Sequence, residues 1–181
     1  SNSLHGSLPS SLSNLEYLLF LDANDNYLTG TLPASIVTID YLVSLDVGSN
    51  LMHGSLPSTM GDLTFIFYLN LADNSFTGAL PVSMSSMSNL QYMRLSSNQF
   101  VGSIPSTFAG LSNLQALALS SNFLTGQVPT FFGDLSYLDE IYLGNNQLSG
   151  SIPFTLSKLR NLKYLTFQNN HLIGEIGPEL C

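Results

Sequence analysis

Basic residues are scarce in this chain of 181 residues, and residues 1–90 contain no lysine or arginine. The same half holds seven acidic residues, whereas residues 91–181 hold five acids and all four bases. Nucleic acids and anionic membranes attract basic surfaces, so the acidic half disfavours both and favours a basic or neutral partner. The alternative is that soluble proteins of this kind are often simply acidic.

Long apolar runs are also missing, and cysteine occurs only once, at Cys181. No run approaches the ~18 apolar residues that a membrane-spanning helix needs. We therefore expect no membrane insertion within these residues. A lone cysteine leaves the redox compartment open, because neither a disulfide framework nor a CxxC pair is present.

A strict repeat of 24 residues dominates what the sequence does contain. Glycine recurs at this spacing from Gly6 to Gly174, and a proline follows each of the first seven glycines by three residues. An asparagine precedes each glycine by four residues, and after Asn2 this column is Asn26, Asn50, Asn74, Asn98, Asn122, Asn146 and Asn170. A register held this strictly indicates one structural unit copied along an axis, which is a solenoid.

Each repeat contains two hydrophobic periods. The alternation around Leu45 and Val47 predicts a short strand with one buried face. The preceding spacing of three, as in Ile36, Ile39 and Leu42, predicts a helical or 3-10 turn on the opposite flank. The asparagine column is predicted to be a structural ladder, because amide side chains in register both donate to and accept from backbone groups of adjacent coils.

The pattern L-x-x-L-x-L-x-x-N-x-L-x-G-x-I/L-P, clear in residues 90–105, resembles the plant-type leucine-rich repeat. The resemblance covers the whole chain. It implies an α/β-type solenoid: a right-handed superhelix with a concave parallel β-sheet, short second strands and convex 3-10 turns. We expect residues 1–181 to form one domain of seven full repeats and a partial repeat at each end.

Both ends of the chain lie in the middle of a repeat, and the cysteine-paired caps usual in this family are missing. Solenoids need caps to cover the ends of the core. We therefore expect a fragment of a longer protein, or else a shorter protein that naturally lacks caps. Pro178 falls one residue late in the register, and Cys181 is either half of a cap disulfide or an unpaired end residue.

The family resemblance also implies a function and a location. Members include ectodomains of receptor-like kinases and receptor-like proteins, and polygalacturonase-inhibiting proteins, which are mostly extracellular binders. The leading hypothesis is a non-enzymatic scaffold that binds a peptide or protein on the concave face, at the cell surface or outside the cell. The alternatives are an ice-binding protein and an inhibitor of a cell-wall hydrolase. The sequence leaves the oligomeric state open.

Aromatic and charged residues at outward strand positions are the predicted ligand contacts. Tyrosine and arginine are enriched at binding hot spots, and exposed aromatics gain little from water. The other interpretation is that these aromatics pack as cross-strand neighbours and stiffen the sheet. The predicted contacts are Phe20, Tyr68, Tyr92, Arg94, Tyr142 and Tyr164, with Asp22 and Asp46 as an acidic edge.

Small hydroxyl side chains beside the repeat glycines are the feature behind the ice-binding alternative. A regular hydroxyl array on a face of low charge would match an ordered water lattice, but serine and threonine here also resemble ordinary family consensus. His53, Val101 and Gln127 interrupt the array. The residues concerned are Thr29, Thr31, Thr77, Ser103, Thr125, Ser149 and Ser151.

Catalysis finds little support in the sequence. Asp22 and Asp46 lie one repeat apart, but no His, Cys or Lys accompanies them. His5 and His53 lie two repeats apart, roughly 10 Å, which is too far for one zinc ion. There is no phosphate-binding loop and no Ser-His-Asp arrangement. We therefore expect no enzymatic activity, no cofactor and no metal.

Overall fold

Seven parallel strands of three residues each form the main sheet of the computed structural model, which describes residues 2–175 and 177. Pro178 and Cys181 lie outside the described residues. Adjacent strands pair 24 positions apart, so that Leu45 lies opposite Leu69. The strands, in the order in which they stack, are Phe20–Asp22, Ser44–Asp46, Tyr68–Asn70, Tyr92–Arg94, Ala116–Ala118, Glu140–Tyr142 and Tyr164–Thr166.

A second set of strands runs through the repeat glycines, where φ near +80° permits the close turn of the coil. These strands form three small parallel sheets whose partners lie 22 positions apart, so that Gly54 lies opposite Phe76. The first sheet contains His5–Ser7 and Tyr27–Thr29, the second His53–Ser55, Ser75–Ala79, Gln99–Ser103 and Phe123–Thr125, and the third Ser149–Gly150 and His171–Leu172.

Short 3-10 helices complete each coil. Proline precedes most of these helices, because its fixed φ, −61° at Pro105, suits the start of a helix. Its carbonyl also accepts the hydrogen bond of the first turn, as from the Phe108 amide at 3.0 Å. The helices are Ser10–Asn14, Ala34–Thr38, Met60–Asp62, Val82–Ser86, Ser106–Gly110, Thr130–Asp134 and Phe154–Lys158. The predicted α/β-type solenoid of parallel strands and 3-10 turns is therefore confirmed.

One continuous core lies between the sheet and the 3-10 helices. Ile36, Phe108 and Phe132 from the helices and Leu45 and Leu117 from the strands are almost fully buried in it. Because each coil is too thin to enclose its own apolar side chains, the core forms only when neighbouring coils stack.

The asparagine column ties successive coils together. The Asn98 Oδ1 atom accepts a hydrogen bond from the Phe76 amide of the preceding repeat at 2.9 Å. Its Nδ2 atom donates to the Leu71 carbonyl at 2.9 Å and to two carbonyls of its own repeat. The side chain thus pairs backbone groups that no strand or helix satisfies.

A left-handed residue precedes each ladder asparagine from Asn26 to Asn170. Its φ lies between 52° and 57° in all seven repeats. Aspartate and asparagine tolerate this conformation better than most residues. The positions are Asp25, Ser49, Asp73, Ser97, Ser121, Asn145 and Asn169. This turn redirects the chain from the main sheet to the second strands.

Candidate functional site

The candidate site is the outward side of the seven-stranded sheet, which we call the sheet face. The middle residue of each strand from Leu45 to Ile141 is completely buried, so the first and third residues point outward. The sheet face therefore consists of Phe20, Asp22, Ser44, Asp46, Tyr68, Asn70, Tyr92, Arg94, Ala116, Ala118, Glu140, Tyr142, Tyr164 and Thr166.

The aromatic residues of the sheet face form two pairs. The ring centroids of Tyr68 and Tyr92 lie 6.2 Å apart, and those of Tyr142 and Tyr164 also lie 6.2 Å apart in a stacked arrangement. Tyr68, Tyr92 and Tyr142 are half-buried by these contacts, whereas Tyr164 keeps 54% of its surface exposed. The rings thus stiffen the sheet by cross-strand packing and still present apolar surface.

Small side chains separate the two aromatic pairs. Ala116 and Ala118 occupy the strand between Tyr92 and Tyr142, and Ala116 is buried. Phe20 stands apart at the first strand of the sheet and is exposed. Ala116 lies opposite Tyr92 and Glu140, and Ala118 lies opposite Arg94 and Tyr142, so larger side chains border both alanines.

Asp46 does not form an exposed acidic edge with Asp22. Asp22 is exposed, but Asp46 retains only 8% of its surface. The Asp46 Oδ1 atom accepts hydrogen bonds from the Gly48 amide at 3.0 Å and from the Asn70 Nδ2 atom at 2.9 Å. Burial beneath these donors makes Asp46 a structural carboxylate.

A sequence signal for this role exists. Aspartate or asparagine as the last strand residue often accepts from the backbone amide two positions later. Asp22 does so from Asn24 at 3.1 Å, and Asn70 from Ala72 at 3.1 Å. The recurrence of these residue types at one repeat position predicts a turn rather than a ligand contact.

Arg94 is the only base on the sheet face. Its guanidinium carbon lies 5.7 Å from the centroid of the Tyr68 ring, within the range of a cation–π contact. The side chain is exposed. The arginine is thus held against a ring while its charge remains available to solvent.

The pKa of Tyr68 is raised above its ordinary value, because the ring is partly buried and because the nearby Asp46 carboxylate repels a phenolate. The Tyr68 hydroxyl also donates to Asp46 Oδ2 at 3.4 Å. The pKa of Tyr142 is raised by burial and by Glu140. Both tyrosines therefore remain neutral hydrogen-bond donors at physiological pH.

Stability should consequently fall at alkaline pH. The folded chain favours the protonated Tyr68, so this contribution is complete below the ordinary tyrosine pKa near 10 and is lost as the pH rises through the higher folded pKa. We expect the free energy of unfolding, measured in urea, to decline less steeply above about pH 10 in Tyr68→Phe than in the wild type. Equal slopes would contradict this assignment.

The predicted ligand contacts do not include one further group of exposed aromatic residues. Tyr17, Tyr41 and Phe65 lie at one repeat position, three residues before their strands, and we call them the aromatic flank. The following two repeats have Asn89 and Asn113 there, and the next two have Tyr137 and Asn161. Three consecutive aromatic residues in this column are visible in the sequence and could have identified the aromatic flank.

The hydroxyl residues beside the repeat glycines do not form a continuous array. Because the second strands pair 22 positions apart, Ser55 lies next to Thr77, but the next neighbour of Thr77 is Gln99. Val101 also faces an alanine. The hydroxyls therefore stand in short groups. Thr29, Thr31, Ser103, Thr125, Ser149 and Ser151 are exposed, and Thr77 is half-buried.

Among residues 2–175 and 177, no group of three or more His, Cys, Asp or Glu side chains is arranged to hold a metal ion. Asp22 and Asp46 lie on paired strands, but the hydrogen bonds described above occupy Asp46. In the same part of the chain, no helix combines the length and apolar character that crossing a membrane requires.

Comparison with known proteins places this geometry in a family. Leucine rich repeat models match residues 89–111 and 112–172. The chain is similar to the structure of the plant peptide hormone receptor RGFR1 in complex with RGF2, at 33% identity and a TM-score of 0.97, covering 99% of this chain and 29% of that one.

Two further structures are informative. The Arabidopsis receptor kinase HAESA, in complex with the peptide hormone IDA and the co-receptor SERK1, shows 36% identity and a TM-score of 0.95, covering 98% of this chain and 30% of that one. A plant ice-binding protein shows 26% identity and a TM-score of 0.71, with 96% and 71% covered.

The present chain spans less than a third of the length of the two receptor structures. A comparison with the curated proteins finds no match. The repeat sequence, the family models and the receptor structures agree with one another. The chain belongs to the plant-type leucine-rich repeat family.

Proposed function

We propose that this chain is a non-enzymatic recognition scaffold that binds a peptide or protein ligand on the sheet face. We further propose that it is part of a receptor-like ectodomain at the cell surface. Similarity to two peptide hormone receptors supports the class of ligand. The location rests on the same similarity.

The observation that carries the choice of surface is the arrangement around Arg94. A guanidinium seated on the Tyr68 ring, with further rings on neighbouring strands, offers both charge and apolar area on a rigid support. Tyrosine and arginine are enriched at binding hot spots, and a guanidinium already held against a ring has less rotamer freedom to lose on binding.

The test uses a random peptide library displayed on phage, selected on the wild-type chain and counter-selected on the double variant Arg94→Ala/Tyr164→Ala. Arg94→Ala and Tyr164→Ala should each weaken the selected peptides by about 1–3 kcal/mol in calorimetric titrations. Both side chains are exposed, so these changes should leave the fold intact. Tyr27→Ala is the matched control, because Tyr27 is an exposed tyrosine on a second strand.

Failure to enrich peptides specific for the wild type, or unchanged affinity in both single variants, would refute this choice of surface. Equal losses in the Tyr27→Ala control would do so as well, since they would indicate a general effect on the fold. Circular dichroism of each variant checks that the solenoid remains folded.

Ice binding through the hydroxyl residues is the second candidate. Similarity to a plant ice-binding protein favours it. The short groups of hydroxyls weigh against it, because a lattice of ordered water needs a longer regular array. Inhibition of ice recrystallisation by the wild-type chain, lost in a Thr125→Tyr variant, would establish this function in place of peptide recognition.

A further inference from the structure

The aromatic flank is a continuous exposed stack across three repeats. The ring centroids of Tyr17 and Tyr41 lie 6.0 Å apart with nearly parallel planes, and those of Tyr41 and Phe65 lie 6.1 Å apart. Tyr17 is 81% exposed, Tyr41 49% and Phe65 53%. Tyr41 and Phe65 have coils on both sides, so their exposure does not result from a position at the end of the solenoid.

The fold itself does not require aromatic residues at this position. In the next two repeats, the Nδ2 atom of Asn89 donates to the Thr64 carbonyl at 2.9 Å, and that of Asn113 donates to the Ser88 carbonyl at 2.7 Å. Each asparagine thus joins two coils. A ring at the same position cannot make this hydrogen bond and leaves apolar surface in water. The fold therefore accepts asparagine at this position.

The surroundings of the aromatic flank define what it fits. On the side toward the sheet, the exposed side chains of Leu19 and Phe67 enlarge the apolar surface. On the other side, the exposed acids Glu16 and Asp40 directly precede Tyr17 and Tyr41. No lysine or arginine occurs within residues 1–90 to neutralise them. The surface is therefore apolar with an acidic border.

We propose that the aromatic flank docks a segment of another protein whose apolar side chains are accompanied by lysine or arginine. The ring spacing lies between the ~5.4 Å pitch of a helix and the ~6.7 Å repeat of a strand, so successive side chains on one face of such a segment can each lie against one ring. Basic residues beside that stripe complement Glu16 and Asp40. A second copy of this chain would bring two acidic borders together and is disfavoured.

This surface is separate from the sheet face and does not depend on the proposed function. Its residues precede the strands, whereas Arg94 and Tyr164 lie on them. An aromatic contact between Phe67 and Tyr92, with centroids 5.5 Å apart, marks the boundary between the two surfaces. The variants used below change Tyr41, Phe65 and Arg94 and leave this contact in place.

The test exploits the asparagines that the chain already uses. The double variant Tyr41→Asn/Phe65→Asn introduces the side chain found at the equivalent positions 89 and 113, so it should fold with a melting temperature close to that of the wild type. Phe154→Ser is the matched control: it removes an exposed aromatic on a 3-10 helix, at a position where another repeat has Ser106.

The random phage-displayed peptide library is selected on the wild-type chain and counter-selected on the double variant. We expect peptides rich in apolar residues and in lysine or arginine, whose affinity falls at least tenfold in the double variant and is unchanged in Phe154→Ser and Arg94→Ala. Failure to enrich peptides specific for the wild type would overturn the proposal, as would enrichment of acidic peptides. Sedimentation that shows a dimer in the wild type and a monomer in the double variant would replace the partner with a second copy.

Discussion

Replacing Phe100 by alanine is expected to lower the free energy of unfolding by about 3–5 kcal/mol. The ring is completely buried and stacks on Phe76 in the neighbouring coil, with centroids 6.5 Å apart and planes 9° from parallel. Its removal would leave a cavity between two coils that are held by pairing with their neighbours, so the surroundings collapse only partly. Urea unfolding monitored by circular dichroism measures the loss.

Phe123→Ala is the matched control for this change, because Phe123 is half-exposed on the adjacent second strand. It should cost far less than Phe100→Ala. In a stacked repeat each coil contacts only its neighbours, so hydrogen exchange in Phe100→Ala should accelerate first in the coils next to the cavity. Acceleration spread evenly from end to end would contradict this expectation.

Replacing Asn122 by alanine should cost about 2–4 kcal/mol, although the residue is polar. Its Oδ1 atom is the acceptor for the Phe100 amide at 3.0 Å, and its Nδ2 atom donates to the Leu95 and Leu119 carbonyls at 3.0 and 3.1 Å. Without the side chain the Phe100 amide is buried with no acceptor, and such a group costs about 1–3 kcal/mol. The shared carbonyls lose one donor each.

Asn24→Ala provides the comparison, since Asn24 is an exposed asparagine two positions after the first strand of the sheet. It should change the unfolding free energy little. If Asn122→Ala proved as mild as Asn24→Ala, the asparagine column would not hold the coils together as described.

Much of the fold was predictable because each repeat contains the residues that specify its strand, its turn and the closure of its coil. Leu45 and Val47 mark the strand, Ile36 and Ile39 mark the turn, and Gly54 and Pro57 close the coil. Stacking copies of a unit with these features leaves essentially one solution, and the parallel sheets of the structure follow it. The register of 24 positions in the main sheet follows from the period, whereas the register of 22 positions in the second strands was not predictable from it.

For the candidate site, the sequence predicts only which residues occupy equivalent outward positions in successive repeats. The sequence places Asp22 and Asp46 at equivalent outward positions, but hydrogen bonds from Gly48 and Asn70 bury only the second. Gly48 lies in the turn that follows the strand of Asp46, and Asn70 lies in the next coil. Exposure therefore depends on neighbours one repeat away, which a column of residues does not show.

The sequence by itself determined the architecture of this protein, because glycine, asparagine, proline and leucine at fixed spacing permit one way of stacking a coil. The tertiary structure alone decided which outward residues are available. It places the Arg94 guanidinium against the Tyr68 ring and buries Asp46. It also separates the hydroxyl side chains beside the repeat glycines into short groups. The physical reason is that burial and hydrogen bonding in a solenoid are properties of adjacent coils, whereas the repeat pattern describes a single one.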